Sequence, residues 1–234
     1  MKKWIGRIFI TLAVLIVCSG IWVFYTGKKE YNRMTQSVTL VELVEEAQNS
    51  PDYVPYDAIS SDLINATVSI EDKRFYTHHG VDYTGLVRGL MSQFFPFLNR
   101  SGGSTITQQI VKNLYGQFNP TIEYKCAELF FATELEKLYS KDEILALYVN
   151  IINYGDNCIG IKEASNHYFG MEPSELDAAR SSLLAGIPQS PANFQLSNHY
   201  EDAKTRQRAV LEAMASSKYI EKSQIEEIWQ QEVY

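Results

Sequence analysis

From Ile8 to Tyr25 the chain runs for 18 residues without a charge. In lipid such a segment must satisfy its own backbone, and a helix does so locally. With Trp4 to Gly6 and the flanks added, the run is long enough to span a bilayer. Trp4, Trp22 and Tyr25 sit near its two ends, where amphipathic rings prefer the headgroup level. Lys2, Lys3 and Arg7 precede it, which favours a cytoplasmic start and an external remainder; Lys28, Lys29 and Arg33 follow it. No small-x-small cleavage pattern comes after the run, so it reads as an uncleaved anchor. The resulting division is a cytoplasmic tail at 1–7, a transmembrane anchor at 8–27, a linker at 28–54 and one folded domain at 55–234.

The charge balance changes after Arg33. The first 33 residues hold 6 of the 21 Lys and Arg and 1 of the 28 Asp and Glu, which leaves the remainder at a net −12. A domain of that charge does not bind nucleic acid by general electrostatics. Within it, the stretch from Glu71 to Lys125 carries six basic and four acidic residues. Positive charge gathers there, as expected of a site that handles an anion. Cys126 and Cys158 lack metal-type spacing and read as half-buried thiols rather than a pair.

The chemistry concentrates in Val68 to Asp82, VSIEDKRFYTHHGVD. Leu63, Ala66, Thr67 and Ile70 repeat at three- and four-residue steps, so a helix with one buried face leads into it, capped by Ser61 or Asp62. Glu71 falls beside that stripe near the helix end. A carboxylate on apolar surface is partly desolvated and its pKa rises, as a general base or acid near neutral pH requires. The plainer reading of the same run is a solvated charged turn.

Further along, Tyr83 to Phe95 reads as a helix, and Phe94-Phe95-Pro96-Phe97-Leu98 is apolar enough either to dip into a membrane surface or to pack in the core. Residues 100 to 114 follow as RSGGSTITQQIVKNL. Two glycines permit close backbone approach to a ligand, and Ser104, Thr105, Thr107, Gln108 and Gln109 are neutral hydrogen-bonding groups suited to sugars. Lys112 lies on the polar side of the helix that Ile106, Ile110 and Leu114 bury. Later helices are expected from Pro120 with an Asn119 cap, from Ser140 with Glu143 as a capping box, over Ser174 to Ala185, over Ala203 to Tyr219 and over Ser223 to Gln231.

These residues carry a resemblance. Glu71-Asp72-x-x-Phe75-x-x-His78-x-Gly80-x-Asp82, then Gly102-Gly-Ser-Thr-Ile-Thr-Gln-Gln109 with Lys112-Asn113, closely resembles glycosyltransferase family 51, the peptidoglycan glycosyltransferases. Ser140 to Asn150, Gly160-Ile161 with Tyr168-Phe169-Gly170, and Leu183 to Pro191 resemble the family's later blocks, in order, over roughly residues 55 to 215. The resemblance implies a mainly α, lysozyme-like fold of two lobes around a central cleft, behind one N-terminal transmembrane helix.

It also implies a function. Such enzymes polymerise lipid II on the outer face of the bacterial membrane. The acceptor's N-acetylglucosamine 4-hydroxyl attacks C1 of the N-acetylmuramyl donor, and undecaprenyl diphosphate leaves. By resemblance Glu71 is the base and Glu128 the second glutamate, assisting at the donor side. Asp72, Phe75, His78, Arg88, Gly103, Ser104, Thr105, Gln108, Gln109, Lys112, Asn113 and Lys125 match substrate-binding positions, with Lys112 and Arg88 candidates for the diphosphate. A divalent cation, magnesium or manganese, is expected, with no clear protein cage for it and no organic cofactor. Expected partners are lipid II, the growing lipid-linked strand, the membrane, and cell-wall synthesis or division proteins.

One departure stands out. The family usually has Arg-Lys-x-Lys-Glu where this chain has Tyr124-Lys125-Cys126-Ala127-Glu128, two cations fewer. Two alternatives therefore stay open beside the polymerase: a non-catalytic paralogue that binds lipid II or scaffolds division proteins, and a lysozyme-like lytic enzyme. No Ser-x-x-Lys occurs in the sequence, so it shows no penicillin-binding transpeptidase signature.

Overall fold

The computed structural model describes residues 2–94, 103–118 and 121–234. It is helical almost throughout. The helices, in order, are α1 (Lys2–Thr35), α2 (Leu40–Gln48), α3 (Ser61–Glu71), α4 (Tyr83–Phe94), α5 (Ile106–Leu114), α6 (Ile122–Leu138), α7 (Lys141–Ile151), α8 (Ile161–Phe169), α9 (Ala178–Gly186), α10 (Pro191–Phe194), α11 (Leu196–Ser216) and α12 (Gln224–Trp229). Among the described residues extended pairing is confined to two isolated bridges, His79 with Val81 and Asn153 with Ile159.

Local chemistry sets most helix starts. Thr39, Thr105 and Ser140 each open a helix with a reciprocal capping box, closed by Glu42, Gln108 and Glu143. The cap of α3 is Ser60, one residue before the expected Ser61 or Asp62; its hydroxyl accepts from Asp62 N and donates to Leu176 O. Thr121 caps α6, while the expected Asn119-Pro120 start lies outside the described residues. Asp177 caps α9, so the helix expected from Ser174 begins at Ala178, after a 3₁₀ turn at Pro173–Glu175. The last long helix starts earlier than expected, at Leu196, with a kink at His199.

Three packing relations position the cleft. Helix α3 lies against α9 and α11, burying Leu63, Ile64, Ala66 and Val68. Helix α5 sits between α6 and α7, with Ile106, Ile110 and Val111 inaccessible. Helix α1 packs along α6. Gly27 makes that approach possible, since a Cβ there would stand 2.8 Å from the Cys126 carbonyl. Phe24 meets Phe130 edge-on at 5.4 Å, and the Tyr31 hydroxyl donates to Glu134 Oε2 at 2.9 Å. Thus the stretch expected as a linker, 28–54, carries the end of α1 and all of α2, whose Leu40 and Val44 join the core.

Among the described residues no helix is long and apolar enough to cross a membrane. The anchor expected at 8–27 falls partly on Ile8, Phe9 and Leu12, whose side chains lie outside the described set. Of the apolar run Phe94 to Leu98, Phe94 ends α4 and the other four residues lie outside the described residues, as do Arg100 and Gly102. Cys126 and Cys158 are free and buried.

Candidate active site

The 3₁₀ turn after α3 and the start of α5 meet at Asp72. Asp72 is buried, and its Oδ2 accepts from the Ile106 backbone N–H at 3.1 Å and lies 2.8 Å from His78 Nε2. One carboxylate thus ties the end of α3 to the first turn of α5, where an anion is favoured by the helix dipole. Thr105, also buried, donates to Gly80 O at 2.7 Å. Gly80 has φ +87 and a Cβ there would sit 2.5 Å from Ala132 O, so a side chain is excluded by both backbone conformation and space. Phe75, fully buried, lies beneath the Lys141 ammonium, 4.1 Å from its ring centre. Lys141 also reaches the His78 carbonyl and Glu136. Phe75 and His78 therefore brace the loop from inside, and neither lines the cleft.

That bracing aims α5. Its two adjacent glutamines reach different carboxylates. Gln109 Nε2 donates to Glu71 Oε2 at 2.7 Å, and Gln108 Nε2 donates to Glu128 Oε1 at 2.9 Å. Asn113 donates back to the Gln109 carbonyl.

Glu71, the last residue of α3, is half-buried. Burial raises its pKa above the ordinary glutamate range; the Gln109 hydrogen bond and the charge of Arg206 oppose that rise, and Asp72 adds to it. Glu128 is fully inaccessible. Its pKa is also raised by burial, against the pull of Lys125, Gln108 and Lys112. Lys125 Nζ contacts both Glu128 oxygens, at 3.0 and 2.9 Å.

A cleft of about 560 Å³ opens from Glu71. Asp72, Arg74, Arg88, Gly103, Ser104 and Thr105 line it, and Ala213 and Ser216 of α11 close the opposite side. Lys73 joins the two sides, donating to Ser216 Oγ at 2.6 Å. Arg74 is held by Asp82. Lys112, Lys125 and Glu128 are not part of this lining. Lys112 stands at the far end of α5 with its ammonium 5.5 Å from the Phe118 ring, and Lys125 is partly exposed on α6. Tyr124 and Ala127, which replace the two expected cations, are buried.

Arg206 was not anticipated from sequence. It lies on α11, where burial lowers its pKa and the charge of Glu71 raises it. The available signal was a charged residue between Ala203, Gln207 and Val210, which α11 buries. Tyr148 and Tyr154, fully buried, also feel the Glu71 charge.

Chemically, the arrangement offers a desolvated carboxylate at a cleft wall, hydroxyl and amide groups beside it, and the cations Lys73, Arg74 and Arg88 along the same lining. Among the described residues no three His, Cys, Asp or Glu side chains gather to hold a metal ion.

A family model described as Transglycosylase matches residues 36–215. The sequence is similar to a monofunctional glycosyltransferase of Staphylococcus haemolyticus, at 36% identity over 233 residues, covering 97% of this chain and 84% of that protein. It is also similar to penicillin-binding protein 2D of Bacillus subtilis, at 38% over 176 residues, where it covers 75% of this chain but only 26% of the relative. Among solved structures, penicillin-binding protein 1A from Haemophilus influenzae matches with a TM-score of 0.47 and 19% identity, over 78% of this chain and 18% of that one.

Proposed function

This chain belongs to the transglycosylase family of peptidoglycan glycosyltransferases, and we propose that it builds glycan strands from lipid II. Glu71 takes the proton from the 4-hydroxyl of an acceptor N-acetylglucosamine. The oxygen bonds to C1 of an N-acetylmuramyl donor, the bond from C1 to the diphosphate oxygen breaks, and undecaprenyl diphosphate departs with its electron pair. Configuration at C1 inverts. The observation that carries this reading is Glu71 itself: half-buried at the cleft wall, raised in pKa and held by Gln109. A base so tuned can accept a proton near neutral pH.

The other roles follow from position. Ser104 lines the cleft as a sugar-binding group, while Thr105, buried, spends its hydroxyl on Gly80 and on the cap of α5 and so shapes the wall rather than binding the sugar. Arg88, with Lys73 and Arg74, supplies the cleft-side charge that receives the diphosphate, where Tyr124 and Ala127 leave the α6 motif with one cation of the expected three; Lys112 and Lys125, outside that lining, act on the diphosphate only through their charge at longer range. Glu128 is inaccessible, so it acts through Lys125 and Gln108, which it holds. A magnesium or manganese ion, if bound, would offset the charge of the leaving diphosphate; among the described residues Glu71 and Asp72 are the carboxylates at the cleft, and no third metal-binding side chain joins them. We further propose a lysozyme-like two-lobed architecture, an anchor formed by α1, and placement of the domain on the extracytoplasmic face of a bacterial membrane. The exposed Ile10, Val14, Ile16, Ile21 and Phe24 on α1 support the anchor.

The test is incubation of the protein with labelled lipid II and a divalent cation, with and without moenomycin, a mimic of the family's donor. Moenomycin-sensitive polymer is expected. Glu71→Gln lowers the rate by roughly 10²-fold or more, the usual scale for a positioned base; a variant that keeps more than about a tenth of the rate removes Glu71 from that role. Moenomycin binding without any polymer identifies a non-catalytic lipid II binder instead, and clearing of purified cell wall identifies a lytic enzyme.

A further inference from the structure

Gln109 is itself held in place from behind. Its Nε2 donates to Glu71 Oε2 at 2.7 Å, while its Oε1 accepts from the Tyr148 hydroxyl at 3.3 Å. The two ends of a primary amide have nearly the same shape and opposite hydrogen-bonding character. A half-turn of the amide would present oxygen to the carboxylate in place of a donor. What decides the orientation is the partner on the far side. Tyr148 is fully buried on α7, beyond replacement by bulk solvent.

We infer that Tyr148 is a positioning residue: by donating to Gln109 Oε1 it keeps the amide N–H on Glu71 and thereby sets the pH range in which Glu71 is ionised. The catalytic consequence rests on Glu71 being the base; the effect on the carboxylate does not. The other groups facing Glu71 are Asp72, the residue that caps its helix, Arg206 from α11 and Tyr154 just beyond α7. Tyr154 is the natural control. It feels the same charge, but its hydroxyl has no hydrogen-bond partner among the described residues and does not touch the amide. Tyr148→Phe removes one oxygen and leaves the ring that fills the core.

The experiment is a difference-infrared titration of the Glu71 carboxyl in the full chain in detergent, with Glu71→Gln as the blank, run beside the pH profile of lipid II turnover. In Tyr148→Phe the carboxyl midpoint should rise by about one pH unit, the scale of a hydrogen bond to a charged group. Turnover on the acid side should fall roughly tenfold and rejoin wild type at high pH, with KM within about twofold, because only the fraction of ionised base has changed. Tyr154→Phe should leave the midpoint in place. Gln109→Met, which removes the amide without touching α7, should raise it at least as far, and adding Tyr148→Phe to that variant should add nothing.

An unmoved midpoint in Tyr148→Phe, an equal shift in the Gln109→Met background, or turnover lost equally at every pH overturns the inference. An unmoved midpoint in Gln109→Met overturns it however Tyr148→Phe folds. If Glu71→Gln keeps its turnover while the midpoints move as expected, the base assignment fails and the positioning of Glu71 by Tyr148 stands.

Discussion

Gln108 and Gln109 are consecutive on α5, yet Gln108 donates to Glu128 and Gln109 to Glu71. Adjacent helical residues diverge by about 100° around the axis, so one turn of backbone can serve two elements on different sides. The two carboxylates, one on α3 and one on α6, are thereby referenced to a single rigid turn. Whatever displaces α5 displaces both.

Glu71→Gln should stabilise the protein while abolishing its chemistry. The folded-state pKa of Glu71 is raised, chiefly by burial. Between the ordinary glutamate range and that raised value the folded state holds more protons than the unfolded chain, so stability falls as pH rises through this window. The neutral amide escapes that penalty. The melting temperature of Glu71→Gln should exceed that of wild type near about pH 8, and the difference should shrink as pH falls toward about 4.3, where the unfolded carboxylate also protonates. Thermal melts across that range check it; a variant that melts lower than wild type at the alkaline end contradicts the burial argument.

Asp72→Ala should be costly for a different reason. It removes the shared acceptor of the Ile106 N–H and His78 Nε2, both in buried surroundings. Two unsatisfied donors put the loss at about 2–4 kcal/mol. Urea denaturation measures it, and a loss below about 1 kcal/mol would mean that the loop and α5 are not joined through Asp72.

Gly80→Ala tests the close approach beneath the loop. The added methyl meets the Ala132 carbonyl oxygen at 2.5 Å in a backbone with φ +87. Strain and overlap together should cost about 3 kcal/mol. The same denaturation series reads it out, and a near-neutral result would show that α6 yields at this point.

Lys125→Met leaves Glu128 buried with Gln108 as its remaining donor. Removing one partner of a buried pair costs about 3–5 kcal/mol, but Lys125 is 42% exposed, and solvent screening discounts this to about 1–2 kcal/mol near neutral pH. The loss should fade in acid, because Glu128, already raised in pKa, then takes up its proton and no longer needs the cation. A loss that persists unchanged in acid would assign it to packing by the lysine stem rather than to charge.

The sequence by itself determined the helical class, several of the helices and the family, and some first turns such as that of α7 at Ser140. Caps such as Thr105 with Gln108 or Ser140 with Glu143 close over three residues, so their chemistry is complete within the local chain. The desolvation of Glu71 was also legible, because the stripe that buries it lies on its own helix. What the tertiary structure decided spans longer separations. The glutamine donors on Glu71 and Glu128 come from 38 and 20 residues away, and the Tyr31 to Glu134 bond that seats α1 on α6 spans 103. Arg206, Tyr148 and the burial of Tyr124 and Ala127 belong to the same class. Each depends on which helix faces come together, and that is fixed by the collective packing of apolar surfaces, for which no short stretch of sequence holds the information.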